Sequence, residues 1–233
     1  MNVNINDTDK ILVVAPHADD ESIGCGGLLS LYGKQCDLLL VTDGRKGHVS
    51  NKYSDEELIK IRKQEFIEAA NLAHVHKCFF LDIEDTKTLE NKQTIYKFNI
   101  KDYDYIFVPN RYENQVDHSC LLKIFTKMKK IQHSKAKLFE YEVWTPMQSP
   151  TWYLDISSVI ENKKKMIAVH KSQISDCDFV SHGIGLSSYR GMFNNKEYAE
   201  GFTDANFSGI KKFVYMKLPR NIRETIKNKL SRG

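Results

Sequence analysis

Apolar residues fall in short unbroken runs, separated by stretches that repeat with a helical period. "ILVVAP" (11–16) is an aliphatic run of strand length, and "CDLLLVTDG" (36–44) is a second. Continuous runs of this kind suit strands of a parallel sheet covered on both faces. The segment between them reads as a helix from about 22 to Gly33, which makes a βαβ unit with the right-handed crossover such units take. A polar loop (45–53) then leads to Ser54 and Glu57, which have capping-box spacing. In the helix that follows, Ile59, Phe66, Ala70 and Ala73 recur with helical period.

Further strands are expected at "KCFFLDI" (77–83), "YDYIFVPN" (103–110, stopped by Pro109) and "AKLFEYEVW" (136–144). A helix is expected over 118–131, and "WYLDI" (152–156) reads as a strand at or beyond the sheet edge. Ser158 and Glu161 offer a second capping box for a helix over 159–170. Residues 171–196 have little periodicity and are rich in Ser, Gly and Asn, so they read as a long loop, of the kind that is usually functional. Alternating strands and helices predict one α/β domain with an open, mostly parallel sheet and helices on both faces. Ligands in such sheets bind beyond the carboxyl ends of the strands.

Composition changes this picture little. The 233 residues are 41% hydrophobic and 27% charged, enough for one sizeable core. No apolar run approaches the roughly 20 residues of a membrane span. The N-terminus lacks signal-peptide features, and the five cysteines form no CxxC pair, so a cytoplasmic, reduced protein is expected. Charge is more informative. The net charge is +4, yet from Lys211 onward eight Lys/Arg face one acid, Glu224, which leaves the first 210 residues mildly acidic. A nucleic-acid partner is not expected. The chain therefore divides into a domain over 1–218 and a basic amphipathic helix over 219–233, where Ile222, Ile226 and Leu230 recur among Arg223, Lys227 and Lys229. Two destinations stay open for that helix: the protein's own body or a second subunit in a homo-oligomer, and peripheral contact with an anionic membrane.

The chemistry lies where the first strand ends. His17, Asp19, Asp20 and Glu21 follow it directly, and His118 follows the fourth strand. Two imidazoles and a carboxylate suit Zn²⁺ and leave one coordination position for water. The alternatives are plainer: acids that stabilise a helix N-terminus, and a solvated Asp117–His118 pair. "GCGG" (24–27) fits a dinucleotide loop poorly, because the glycines fall inside the expected helix and the preceding acids would repel a pyrophosphate.

"APHADDESIGCGG" resembles the signature that opens the PIG-L, or LmbE-like, zinc-dependent N-acetylglucosaminyl deacetylases. The likeness continues through "VTDGRKG" (41–47), "IRKQEFIEAANLA" (61–73), "VDH" (116–118) and "KKKMIAVHKSQ" (163–173). The resemblance implies a single-domain Rossmann-like open sheet and a hydrolase that removes acetyl from an acetamido sugar. It implies one Zn²⁺ per chain, with Fe²⁺ as a substitute, held by His17, Asp20 and His118, and Asp19 as general base. It further implies supporting roles. Arg62 becomes a ligand for sugar hydroxyls, with a surface helix arginine as the plainer alternative, Asp85 an acidic sugar contact, and Arg45 a contact for phosphate or hydroxyl. Asp117 either orients His118 or a nearby ligand, or caps its helix, and His170 either takes part in catalysis or sits at a helix terminus. Gln115 stands where many relatives carry a histidine, so a neutral donor replaces a cationic one. Free, nucleotide-activated and glycoconjugate acetamido sugars all fit the family. A zinc-containing carbohydrate-binding or assembly subunit with impaired turnover is the second reading. Trp144 is open to both sugar stacking and core packing.

Overall fold

The computed structural model describes residues 4–47, 52–174, 177–207, 218–219, 221–223 and 225. β1 (Ile11–Ala15) is buried along its whole length between β2 (Cys36–Thr42) and β4 (Tyr105–Pro109), both parallel to it. β3 (Lys77–Ile83) continues the parallel set on one side and β5 (Lys137–Tyr141) on the other. Beyond β5 the direction reverses. β7 (Ala199–Asp204) runs antiparallel to β5 and to β6 (Trp152–Asp155), giving the order β3-β2-β1-β4-β5-β7-β6. The sheet is thus the expected open, mostly parallel one, with 152–156 at its edge.

Both faces are covered, which is why the strands carry continuous apolar runs. Ile11, Val13 and Ala15 point to the face holding α1 (Asp20–Tyr32), α2 (Asp55–Leu72) and α6 (Ile160–Ala168). Leu12 and Val14 point to the face holding α3 (Lys92–Tyr96) and α5 (Leu121–Gln132). α4 (Val116–Ser119) is a single turn that precedes α5. The glycines of "GCGG" lie inside α1 and permit close approach: a Cβ on Gly24 would stand 2.3 Å from the Tyr141 ring, and one on Gly27 2.3 Å from Ile156. The capping box at Ser54 and Glu57 forms in full.

The structure corrects several expectations. α1 starts at Asp20, two residues early, so the carboxylates open the helix itself. The expected helix over 118–131 is two helices, α4 and α5. The Ser158 capping box does not form. A 3-10 turn, Ser157–Val159, leads into α6, and Glu161 pairs with Lys164 at 2.6 Å instead. The expected loop over 171–196 contains α7 (Phe179–Met192). Its three glycines and four serines or histidines weaken the periodic signal, but Asp178 caps it by accepting the Ser181 N–H, and Gly183 lets it pack on Ile167. β7 was hidden by Glu200, a charge in the middle of a buried strand. That carboxylate accepts the N–H groups of Gly27 and Leu28 in α1 and pairs with buried Lys163 at 2.7 Å. The amphipathic helix expected over 219–233 falls largely outside the described residues. Among those described, no helix is long and apolar enough to cross a membrane.

Candidate metal centre and active site

The chain leaves β1 through Pro16–Asp19 and turns straight into α1. β2 pins this turn, because Thr42 donates both its N–H and its Oγ1–H to the Pro16 carbonyl (3.0 and 2.8 Å). The His17 N–H donates to Asp20 Oδ2 at 2.9 Å. Asp19 sits at φ 140°, ψ −30°, a conformation that costs a non-glycine residue on the order of 1–3 kcal/mol. Its neighbours hold it there. Its N–H donates to Glu21 Oε2 (3.1 Å), and its carbonyl accepts from Ser22 and Ile23 (3.1 and 3.0 Å). Arg62, buried on α2, donates to the carbonyls of Ala18 (3.0 Å) and Gly44 (3.1 Å) and approaches Asp19 Oδ2 at 3.4 Å.

Three side-chain atoms converge beside this turn. His17 Nδ1 lies 3.1 Å from His118 Nε2 and 3.4 Å from Asp20 Oδ2, and His118 Nε2 lies 3.2 Å from the same oxygen. All three residues are buried. A tetrahedral Zn²⁺ with ligands at about 2.0–2.1 Å separates them by about 3.3–3.4 Å, so this triangle has the dimensions of one face of such a site. Two imidazole nitrogens this close, out of water, cannot both carry protons comfortably; a shared cation resolves the conflict. Asp20 Oδ1 and His118 Nδ1 are buried with no hydrogen-bond partner. The donor set therefore fits a divalent metal.

Two acids behind His17 orient its ring. Its Nε2 faces Asp85 Oδ1 at 3.1 Å and Asp117 Oδ2 at 3.5 Å, so the proton belongs there and Nδ1 presents a lone pair. Of the places expected for it, Asp117 takes the one beside a neighbouring candidate ligand, His17, and does not cap α4. It accepts the N–H groups of Thr86 (2.8 Å) and Thr88 (3.1 Å) and faces the other histidine. Asp85 accepts the Lys46 N–H at 3.1 Å. His170 lies just past α6, fully buried, and donates from Nε2 to Glu21 Oε1 at 3.0 Å. It reaches Asp19 through Glu21 and through Ser22, whose Oγ lies 3.2 Å from the same nitrogen. Arg45 turns away into a bidentate pair with Asp43 (2.6 and 2.9 Å) and does not line the cavity.

Electrostatics separate the two adjacent aspartates. Burial pushes the Asp19 carboxyl up to about 6, against the opposing charge of Arg62. Burial also opposes charge on Asp20, yet the facing His118 and His17 imidazoles outweigh it and hold Asp20 below the usual carboxylate range. Burial disfavours a charged His17, but hydrogen bonds to Asp117, Asp20 and Asp85 raise it well above an ordinary histidine. Asp117 is lowered to about 2 despite its burial, mainly by His17 and Thr88.

His17, Asp19, Asp20, Arg62, Asp85, Asp117 and Gln115 all line one cavity of about 420 Å³ at the carboxyl ends of the strands. Its mouth carries Trp144, 42% exposed, edge-on to Phe179 with ring centroids 5.0 Å apart. Phe179 opens α7, so the segment expected to be a functional loop does reach the site, as a helix. Gln173 also lines the cavity and donates to the Gly47 carbonyl at 3.0 Å. The loop that carries it is anchored by Glu65, one turn after Arg62, which accepts the Ser172 N–H and Oγ–H at 2.8 and 2.7 Å. Arg62 and Glu65 thus tie three separate loops, at Ala18, Gly44 and Ser172, to one helix. Phe179 had no signal in the sequence beyond the Asp178 cap.

Comparison with known proteins agrees with this architecture. The sequence matches the family described as GlcNAc-PI de-N-acetylase, PIG-L, over residues 12–129. It is 26% identical over 226 residues to diacetylchitobiose deacetylase of Thermococcus kodakarensis, covering 86% of this chain and 85% of that protein. The structure of N,N'-diacetylchitobiose deacetylase from Pyrococcus horikoshii, complexed with an inhibitor, superimposes with a TM-score of 0.75 at 26% identity, covering 89% of this chain and 88% of that one. GalB of Pseudomonas putida, a 4-carboxy-2-hydroxymuconate hydratase, shares the fold at a TM-score of 0.68 and 18% identity over 84% of this chain and 95% of its own. The family match runs from β1 into α5 and so takes in His17, Asp20 and His118 of the converging cluster as well as Asp19, and on that match the chain belongs to the PIG-L family.

Proposed function

We propose that this protein is a metal-dependent hydrolase that removes the acetyl group from an acetamido sugar. The observation that carries the reading is the buried triangle of His17 Nδ1, Asp20 Oδ2 and His118 Nε2, with edges of 3.1–3.4 Å, at the base of a cavity that also exposes Asp19. These three residues would hold one Zn²⁺, or Fe²⁺ in its place. Such a cation lowers the pKa of a bound water and polarises the amide carbonyl.

Asp19 takes the proton of the attacking water and returns it to the departing amine, so that water and amide become acetate and a free amino sugar. The strained turn sets the position of its carboxylate and Arg62 keeps it ionised. Gln115, at the N-terminus of α4, offers a neutral amide donor to charge developing on the carbonyl oxygen. The Trp144–Phe179 pair supplies an apolar face for a pyranose ring, while Asp85 and Asp117 steady His17. Two relatives named for diacetylchitobiose support a short N-acetylated glycan as the substrate class. The five cysteines are all unpaired, which suits a cytoplasmic setting.

Acetate release from N-acetylglucosamine, diacetylchitobiose and a nucleotide-activated N-acetylglucosamine, measured with zinc-loaded protein, tests the reading. Release from at least one, abolished by chelation, is expected. Bound zinc with no release from any of them would favour the carbohydrate-binding subunit, in which Gln115 has cost the protein its turnover.

A further inference from the structure

A second cavity, about 660 Å³, lies on the other side of α4 from the catalytic one. Val116 lines the first, and Ser119 and Cys120, one helical turn on, line the second. The charges are reversed. Four carboxylates line the catalytic cavity, whereas none lines the groove.

Lys123, Lys127 and Lys130 present a row from α5, and Lys92 faces them from α3. Their spacing puts the α5 lysines on one helical face. None of the four has an acidic partner among the described residues. Arg111, at the far rim, is different: it is already neutralised by Glu140 through contacts of 2.7 and 2.9 Å. The floor is apolar, with Leu89, Tyr96 and Leu122, and Leu89 is 44% exposed. A helix face that is merely solvated mixes signs and needs no such floor. This one gathers unpaired cations around apolar surface, in a body whose first 210 residues are net acidic.

We propose that this groove docks the protein on an anionic lipid bilayer, with a phospholipid phosphate between the lysine ammonium groups and the upper acyl chain against the apolar floor. Lysine stems lie along apolar surface while their heads reach phosphate, and each lysine near an anionic surface adds about fivefold to partitioning. The basic segment that begins at Lys211 cannot be the occupant, since it carries the same sign. Its eight Lys/Arg against one acid add to the same attraction.

Flotation of the full chain with phosphatidylcholine vesicles, with and without phosphatidylglycerol, tests the proposal. The protein should float only with the anionic vesicles and should lose binding as salt is raised. Lys123→Glu/Lys127→Glu should reduce partitioning at least tenfold, with melting temperature and acetate release from a soluble sugar unchanged. Lys227→Glu/Lys229→Glu should reduce it less. Asp19→Asn should float like the parent chain, which separates failure of the docking from failure of the deacetylase reading. Equal flotation of the groove variant and the parent, no flotation at all, or loss of flotation to a polyglutamate competitor would each overturn the proposal, the last in favour of an acidic protein partner.

Discussion

Two cavities flank α4, and they use charge in opposite ways. In the catalytic cavity every carboxylate is buried and committed: Asp19 to a strained turn, Asp85 and Asp117 to backbone N–H groups and to His17, and Asp20 to both imidazoles. In the groove Lys123, Lys127 and Lys130 stand on one face of α5 with no acidic partner among the described residues. Buried like charges are tolerable only when hydrogen bonds and a counterion offset their desolvation. Exposed ones are tolerated anywhere and act through the field they create. The first arrangement positions atoms to within a fraction of an ångström. The second attracts a surface and leaves its details free.

The comparison can be broken most sharply at Asp19. Asp19→Asn should lower kcat by about 10²–10⁴ while bound zinc, measured by elemental analysis, stays at one per chain. Loss of the metal along with the activity would make Asp19 a ligand, not a base. A smaller effect is expected at His170. It acts on Asp19 indirectly, through Glu21 and Ser22, so His170→Asn should lower kcat by roughly tenfold with KM and metal content retained. A change in KM alone would place His170 in contact with the sugar. The smallest effect is one of pH. A general base works only when ionised, and burial raises the Asp19 carboxyl to about 6, so kcat/KM should fall as pH drops through that value or somewhat below it, where a cation beside Asp20 helps ionise it. Arg62→Met removes an opposing charge and should move this limb to higher pH. A limb that stays in place would show that Arg62 serves only the backbone carbonyls it binds.

Much of this was legible in the sequence because local and global signals agreed. Continuous aliphatic runs gave the five parallel strands, and the Ser54–Glu57 box formed as expected. The convergence of His17, Asp20 and His118 could be read from strand ends, since a parallel sheet gathers its βα turns at one edge. What stayed hidden depends on partners distant in sequence. β7 carries Glu200 in its middle, which makes sense only once Lys163 and the α1 backbone are beside it. α7 is rich in glycine and serine and owes its existence to packing on α6. Asp117 could be read as orienting His118 or a nearby ligand, and only the fold decides for His17, because consecutive residues of a helix diverge by about a quarter turn or more.

The torsion angles at residue 19 carry one last consequence. Glycine alone would rest in that turn without penalty. Exchanging Asp19 for glycine would therefore relax the backbone and remove a desolvated charge in the same stroke, giving a sturdier but inert molecule. The fold tolerates a weak point at its centre, and that weak point is where the proposed chemistry resides.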